Sequence, residues 1–468
     1  MSSDSIQIDG GRGPEPVVAG NGKDHTEGSI LKSIVSMGLP SMIGFGLGNI
    51  YELINAFWLS RMGPEPVAAI TILSPVLWVI HSANSAVGSG SVAIISRRYG
   101  ERDIPETEMA IKEAVLLKWI MAIFFGAVGY FATPSLLALM GAKGNVLEMG
   151  ITFGRIIFIG LGFNFATYTV FTALRGVANP VKAMVLMIAF NVFNMILDPF
   201  LIFGWWIFPK MGIAGAGWAV VISYALTFLG GIALFYSRGV NVPLRWRNSR
   251  PMSWPRMWMM LKIGLPSAIG TLSFSVARLI VMPMITIFGV GVVAAYGVGT
   301  RVSNLGATLM VGIGLGLSAL IGHNLGAGKV ERARRTANQA IMLGIGIMSL
   351  MAVATFIFAR QITGIFFDDP AIVGHGATVL RILALGMPFL GLYLTVENVY
   401  TGVGENRPTM VLNILHSWVL EIPAVYVTTQ VLGLDQTAVW WSLTGALFVS
   451  ALLYYAYFRR GQWLHVKV

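Results

Sequence analysis

Cysteine is absent from the 468 residues, and charge is scarce, with Asp, Glu, Lys and Arg together making up 11%. Without thiols there is no disulfide framework, no thiolate metal site and no redox chemistry at sulfur. An ordinary soluble domain carries about 25% charged residues. At 11% a water-facing surface cannot be coated, which excludes a soluble enzyme of one to three domains. A phosphate-binding loop is missing too. The nearest approach runs from Gly322 to Gly328-Lys329, with five intervening residues where four are needed and Val330 where a Mg²⁺-binding hydroxyl belongs. No metalloprotease or Ser–His–Asp pattern stands at membrane depth, so no enzyme activity is expected.

What is present is apolar. Hydrophobic residues reach 55%, with 55 Gly, 26 Phe and 24 Met. Stretches of about 20 apolar residues can cross a bilayer as helices. Twelve occur, near 33–59, 66–95, 114–138, 146–174, 183–206, 212–236, 257–287, 291–321, 338–360, 374–400, 409–431 and 438–458. None alternates apolar and polar residues as a membrane barrel strand does, so the fold is all-α and polytopic. Pro40 and Pro266, inside the first and seventh spans, lack the N–H that keeps a helix straight.

The net charge of +11 follows from where the basic residues stand. Loops after even-numbered spans carry Arg97, Arg98 and Arg102, then Arg175 and Lys182, then Arg238, Arg245, Arg247, Arg250 and Arg256, then Lys329, Arg332, Arg334 and Arg335. Arg407, Arg459, Arg460 and Lys467 share that side, and the opposite loops hold little beyond Arg61, Lys143, Lys210 and Arg360. The positive-inside rule therefore predicts that both termini are cytoplasmic, and the expected location is the plasma membrane. It leaves no surplus for nucleic-acid binding. The first 28 residues are polar and mixed in charge, a tail rather than a signal peptide.

The chain repeats itself. At an offset of 226, Gly38-Leu39-Pro40-Ser41 falls on Gly264-Leu265-Pro266-Ser267, Gly63 on Gly289, and Gly88, Gly90 and Gly100 on Gly314, Gly316 and Gly326. Arg155 falls on Arg381 and Gly176-Val177 on Gly402-Val403. Beyond that the offset slips to about 222, where Asn191 meets Asn413, Asn194 meets His416 and Trp218 meets Trp440. Six spans per half is an even number, so both halves enter the membrane in the same sense. Such repeats are related by a pseudo-two-fold axis along the membrane normal. The expected organisation is a tail at 1–30, a six-helix lobe at 31–236, a linker at 237–256, a second six-helix lobe at 257–460 and a short tail at 461–468.

Leu39-Pro40 followed by Tyr51-Glu52-Leu53-Ile54-Asn55-Ala56-Phe57-Trp58-Leu59, Ala173-Leu174-Arg175-Gly176, and Asn194-Met195-Ile196-Leu197-Asp198-Pro199 resemble the first, fourth and fifth helices of the multidrug and toxic compound extrusion (MATE) transporters. The resemblance extends over nearly the whole chain beyond residue 30. It implies a gradient-driven efflux antiporter with alternating access across a cleft between two lobes. It further implies H⁺ or Na⁺ as coupling ion, no cofactor, a small-molecule substrate, and a monomer in the bilayer.

Ionisable residues at membrane depth are costly and mark function by default. Glu52, Asp198, Arg278, Arg301 and Glu421 lie within spans, in one layer of the outer half. Asn191, Asn194 and Asp198, spaced i, i+3, i+7, share a helix face. The resemblance implies that the Asp and Asn there belong to a coupling site in the first lobe. Counted from Pro40, many relatives have an acid where this chain has Asn55. Glu52, one turn earlier, is the expected replacement.

Arg278 is the repeat counterpart of Glu52, so the two can form an outer gate, with Glu421 as a rival partner for Arg278. In the second lobe, Phe274 replaces the acid of some Na⁺-coupled relatives, and Glu397 lies nearer the cytoplasm than that pattern requires. His416 and Glu397 join Glu421 as a possible polar network. Tyr51, Asn164 and Tyr168 are expected in the substrate cleft with Arg278 and Arg301. Arg155 and Arg381 are read as snorkelling. Because two intramembrane arginines repel cations, the alternative is a flippase or exporter of anionic lipid-linked or organic-anion substrates on the same architecture.

Overall fold

The computed structural model describes residues 25–237, 239–245 and 251–466. The tail residues 1–24, Arg238, Arg247 and Arg250 of the linker, and Lys467 lie outside the described residues. The rest is helical, with no strand among the described residues. In the first half the helices are α1 (Ile30–Ser60), α2 (Pro64–Gly100), α3 (Ile104–Leu139), α4 (Gly144–Ile159), α5 (Leu161–Gly176), α6 (Pro180–Phe203) and α7 (Ile213–Tyr236). The second half has α8 (Trp254–Thr286), α9 (Val290–Gly326), α10 (Val330–Ile357), the short α11 (Ala359–Gly364) and α12 (Pro370–Val403). Then come α13 (Arg407–Ile414), π-helical turns at Leu415–Glu421 and Val427–Val431 on either side of α14 (Ile422–Tyr426), and α15 (Gln436–Arg459).

Among the described residues, eleven helices are long and apolar enough to cross a membrane, counting Arg407–Val431 as one. α4 and α5, bent by 52°, complete a twelfth span. The bend falls at Gly160, not at a proline: α1 and α8 continue through Pro40 and Pro266. A Cβ at Gly160 would strike Val221 of α7, so the absent side chain lets α7 pack into the bend. Several helices also outrun their apolar stretches. α3 begins at Ile104 behind an N-cap in which Asp103 accepts from the Glu106 N–H at 3.1 Å. Side chains such as Phe131, Leu139 and Leu350, each at least 74% exposed, form the lipid-facing surface.

The repeat is visible in the caps and in the lobe contact. Gly63 and Gly289 open α2 and α9 with φ of +114° and +96°, a left-handed conformation that favours glycine. Gly38 of α1 lies against Ile313 of α9, and its counterpart Gly264 of α8 lies against Ala86 of α2. Gly90 with Met260, and Gly316 with Met37, repeat the arrangement. Nearer the helix ends, Gly100 packs on His323 and Gly326 on Arg97. At each of these positions a Cβ would overlap the opposite backbone. All these contacts lie on the side carrying the described chain ends and linker. In the other halves of the same helices Gly46, Gly48 and Gly297 have nothing within 4 Å of a Cβ position. The two six-helix lobes thus meet at the terminal side and splay apart at the other.

The register slip lies elsewhere than expected. α6 and α13 are capped by Asn179 and Asn406, whereas α7 and α15 begin at Ile213 and Gln436. The offset is 227 for the first pair and 223 for the second, so the slip falls in the loops before the last span of each half. The loop is shorter in the second half, 432–435 against 204–212. Asn194 therefore corresponds to Glu421, not His416. Identity of one asparagine does not fix register inside a helix.

Acidic residues of α3 strap the linker. Arg256 donates to both carboxylate oxygens of Glu113 and to Glu106, while Glu113 and Glu108 accept the Ser253 and Arg245 N–H groups. Arg97 of the first lobe donates to the Val466 carbonyl at 2.8 Å.

Candidate functional site

In the first lobe α1 and α6 bring a carboxylate and two amides together. Asn55 Nδ2 donates to Asp198 Oδ2 at 2.8 Å. Asp198 and Asn194 are fully buried, one turn apart on α6. Asp198 Oδ1 and both side-chain atoms of Asn194 have no hydrogen-bond partner among the described residues. Buried polar groups are normally satisfied, and each exception needs an explanation such as an ion or water. A carboxylate oxygen and an amide oxygen side by side can hold a small cation, or the carboxylate can take up a proton. Asn191, on the same face, is half-buried.

Glu52 is exposed and has neither an ion pair nor a hydrogen bond among the described residues. Three residues along a helix turn a side chain by about 300°. Asn55 reaches α6, whereas Glu52, about 60° around the helix from it and about 40° from the line of Gly38 against α9, lies on the side of the gap between the lobes. Tyr51 packs edge-on against Phe190 (6.2 Å), and Phe190 stacks on Tyr224 (4.2 Å). Tyr168 meets His81 edge-on at 5.8 Å. These rings line the lobe interior. Asn164 is half-buried one turn before Tyr168 and makes no hydrogen bond to the Asp198 site among the described residues.

The second lobe has two polar clusters. Asn413 Nδ2 donates to Glu397 at 3.1 Å, while Tyr393 and Tyr454 donate to Asn413 Oδ1. His416 contacts Ser450 Oγ through Nδ1 (2.9 Å) and Glu421 through Nε2 (3.5 Å), both groups sitting in the first π-helical stretch. Single π turns occur often at functional sites. Arg278 pairs with neither Glu52 nor Glu421. Its guanidinium lies over the Phe274 ring at 4.9 Å. Arg301 is exposed and also has no ion pair among the described residues. Arg155 stacks over Tyr130 (4.8 Å) and Arg381 over Phe356 (5.8 Å).

Three polar side chains escape a reading of apolar runs. Lys118 of α3 is fully buried, donating to the carbonyl and side-chain oxygens of Asn84, with the Phe165 ring 5.3 Å away. It stands near the start of an apolar run but fourteen residues into its helix. Arg175, counted among loop charges, is 1% exposed and donates weakly to Thr172 at 3.5 Å. His323 of α9 bridges the lobes, its Nε2 2.6 Å from the Gly176 carbonyl at the end of α5. Its ring lies 5.1 Å from that of Tyr99.

A family model described as MatE matches residues 40–200 and again 266–427, once per lobe. The chain is 25% identical over 450 residues to the probable multidrug resistance protein YoeA of Bacillus subtilis, covering 95% of this chain and 96% of that one. It is 24% identical over 425 residues to a protein of Shewanella oneidensis named FAD transporter, covering 90% and 93%. A solved structure described as the outward-facing conformation of a multidrug resistance MATE family transporter superposes with a TM-score of 0.87 at 25% identity, over 96% of this chain and 99% of that one.

Proposed function

The chain belongs to the MatE family of membrane transporters, and from that premise we propose that it is a secondary-active antiporter exporting small organic molecules against an inward flow of H⁺ or Na⁺. It is a multi-pass transporter and not an enzyme. The observation that carries the reading is the buried pair Asp198–Asn194, with three side-chain atoms left without partners beside an Asn55 hydrogen bond. This is the only acid-and-amide cluster among the described residues of the first lobe's interior that is so under-satisfied. The coupling set is Asp198, Asn194, Asn191 and Asn55, with Glu52 at the cleft edge as the second acid.

The positive-inside rule supports a cytoplasmic location for the side where the lobes meet. The splayed side then faces outward, and the described state is outward-open. Ion uptake at Asp198 in this state, and release after the lobes rock, would drive substrate the other way. A single chain contains both lobes and a whole cleft, so a monomer suffices. The relative named FAD transporter indicates that this architecture is not confined to drugs.

Reconstitution in proteoliposomes with separately imposed pH and Na⁺ gradients tests the coupling. Asp198→Asn is expected to abolish gradient-driven efflux while leaving substrate binding within about threefold, since the loss is one of coupling and not of fold. Glu52→Gln is expected to slow it. Full efflux in Asp198→Asn would remove that residue from the mechanism.

A further inference from the structure

Two guanidiniums stand in the splayed half of the second lobe, and their placement follows from helical phase. On α8, Ser267, Thr271, Ser275 and Arg278 form one polar stripe that continues Gly264, the residue packed on Ala86 of α2. Arg278 is eighteen residues beyond Met260, which lies against Gly90; at 3.6 residues per turn that is five full turns. The exposed apolar residues Leu265, Ile269, Leu272, Val276 and Leu279 lie about 100–180° away around the same helix. That face meets lipid. On α9, Arg301, Asn304 and Thr308 follow one another at i, i+3 and i+7, ending on Gly312 against Met42 of α1. Both arginines therefore point into the gap between the lobes, on two adjacent helices of one wall. A charge on the lipid face would be far more costly.

Among the described residues no carboxylate forms an ion pair with either arginine, although Glu421 is near enough to feel the Arg278 charge. Glu421 is buried with His416, and α8 and α9 contain no acidic residue. Across the gap stand Glu52 on α1 and, at the outer lip of α2, Glu65, which accepts from Asn145 at 3.2 Å. Phe274 lies directly beside Arg278. The Phe274 ring covers one face of the Arg278 guanidinium and leaves its N–H edge open. A planar fork of donors fits carboxylate and phosphate bidentately.

We infer that this wall is an anion-recognition site and that the exported substrate class includes organic anions bearing a carboxylate or phosphate group. The inference rests on the export reading and adds the substrate's charge to it. Arg278 and Arg301 hold the anionic group. Glu52 on the opposite wall sets a limit, excluding anions too large to leave it solvated.

The test uses the full-length protein with three probes: carboxyfluorescein as a soluble aromatic anion, ethidium as a cation, and fluorescent phosphatidylglycerol as an anionic lipid. Efflux and equilibrium binding in detergent are measured for the parent, Arg278→Gln, Arg301→Gln and Arg278→Lys. Carboxyfluorescein is expected to bind and to be exported, with both falling at least about tenfold in each Gln variant, the weight of one charge-assisted contact. Arg278→Lys should recover part of the loss and ethidium efflux should stay within about twofold. Phosphatidylglycerol scrambling that depends on the arginines, without carboxyfluorescein efflux, would assign the site to lipid headgroups and overturn the soluble substrate. Equal loss for anion and cation would show a gate with Glu52 and overturn the site. Ethidium export without carboxyfluorescein binding would overturn it while the export reading stands. Arginine-dependent carboxyfluorescein binding with no efflux of any probe would uphold the site and sink the export reading.

Discussion

A lysine enclosed in a membrane lobe must be met by dipoles when no carboxylate reaches it, and Lys118 is met by two oxygens of Asn84. Replacing a buried ion with an apolar side chain of similar length is often neutral or stabilising, while removing its partner leaves an uncompensated group. Lys118→Met is therefore expected to keep or raise the melting temperature in detergent. Asn84→Leu should cost about 1–3 kcal/mol, the penalty of an unsatisfied buried donor. The contrast shows which residues a sequence discloses. Asp198 and Asn194 were legible because their spacing fixes a common face whatever surrounds them. Lys118 was not, because apolarity places the start of a span and not the start of its helix. The partner of Glu421 was not legible either: the sequence offered both Arg278 and His416, and packing brings His416 within ion-pair distance.

Among elements, the lobe contact is made by backbones meeting where glycine removes the side chain. Gly264→Val should act as a wedge between α8 and α2. Overpacking costs about 1–3 kcal/mol, enough to shift the populations of the two lobe arrangements by about tenfold or more. Since the chain lacks cysteine, Ala319→Cys, fully buried at this contact, gives a background-free probe. Its maleimide labelling is expected to be slow in the parent and about tenfold faster with Gly264→Val. The twelve-span count and the paired halves could be read from composition and a constant offset, because lipid and duplication both leave linear traces. The bend at Gly160 and the two π-helical stretches could not. They depend on what packs alongside, Val221 of α7 in the first case. The π turns widen a helix whose length from cap to end exceeds that of its counterpart by one residue.

For the molecule as a whole, one proton crossing about 100 mV gains about 2.3 kcal/mol, and one pH unit adds about 1.4 kcal/mol. With one proton per neutral substrate, the steady-state concentration ratio in proteoliposomes is expected to reach several hundredfold and to rise about tenfold per added pH unit. A slope of about a hundredfold per unit would mean two protons, and independence from pH would leave Na⁺ as the driver. The seam between the lobes also constrains how they can move. Each glycine there receives a particular stretch of the facing backbone, as Gly316 receives Met37 and Gly90 receives Met260. Sliding either helix by one residue would bring a side chain into a space with room for none. These contacts oppose lateral shear and favour parting of the lobes by a hinge. Lobes hinging in this way would unseat along the seam and return to the same register.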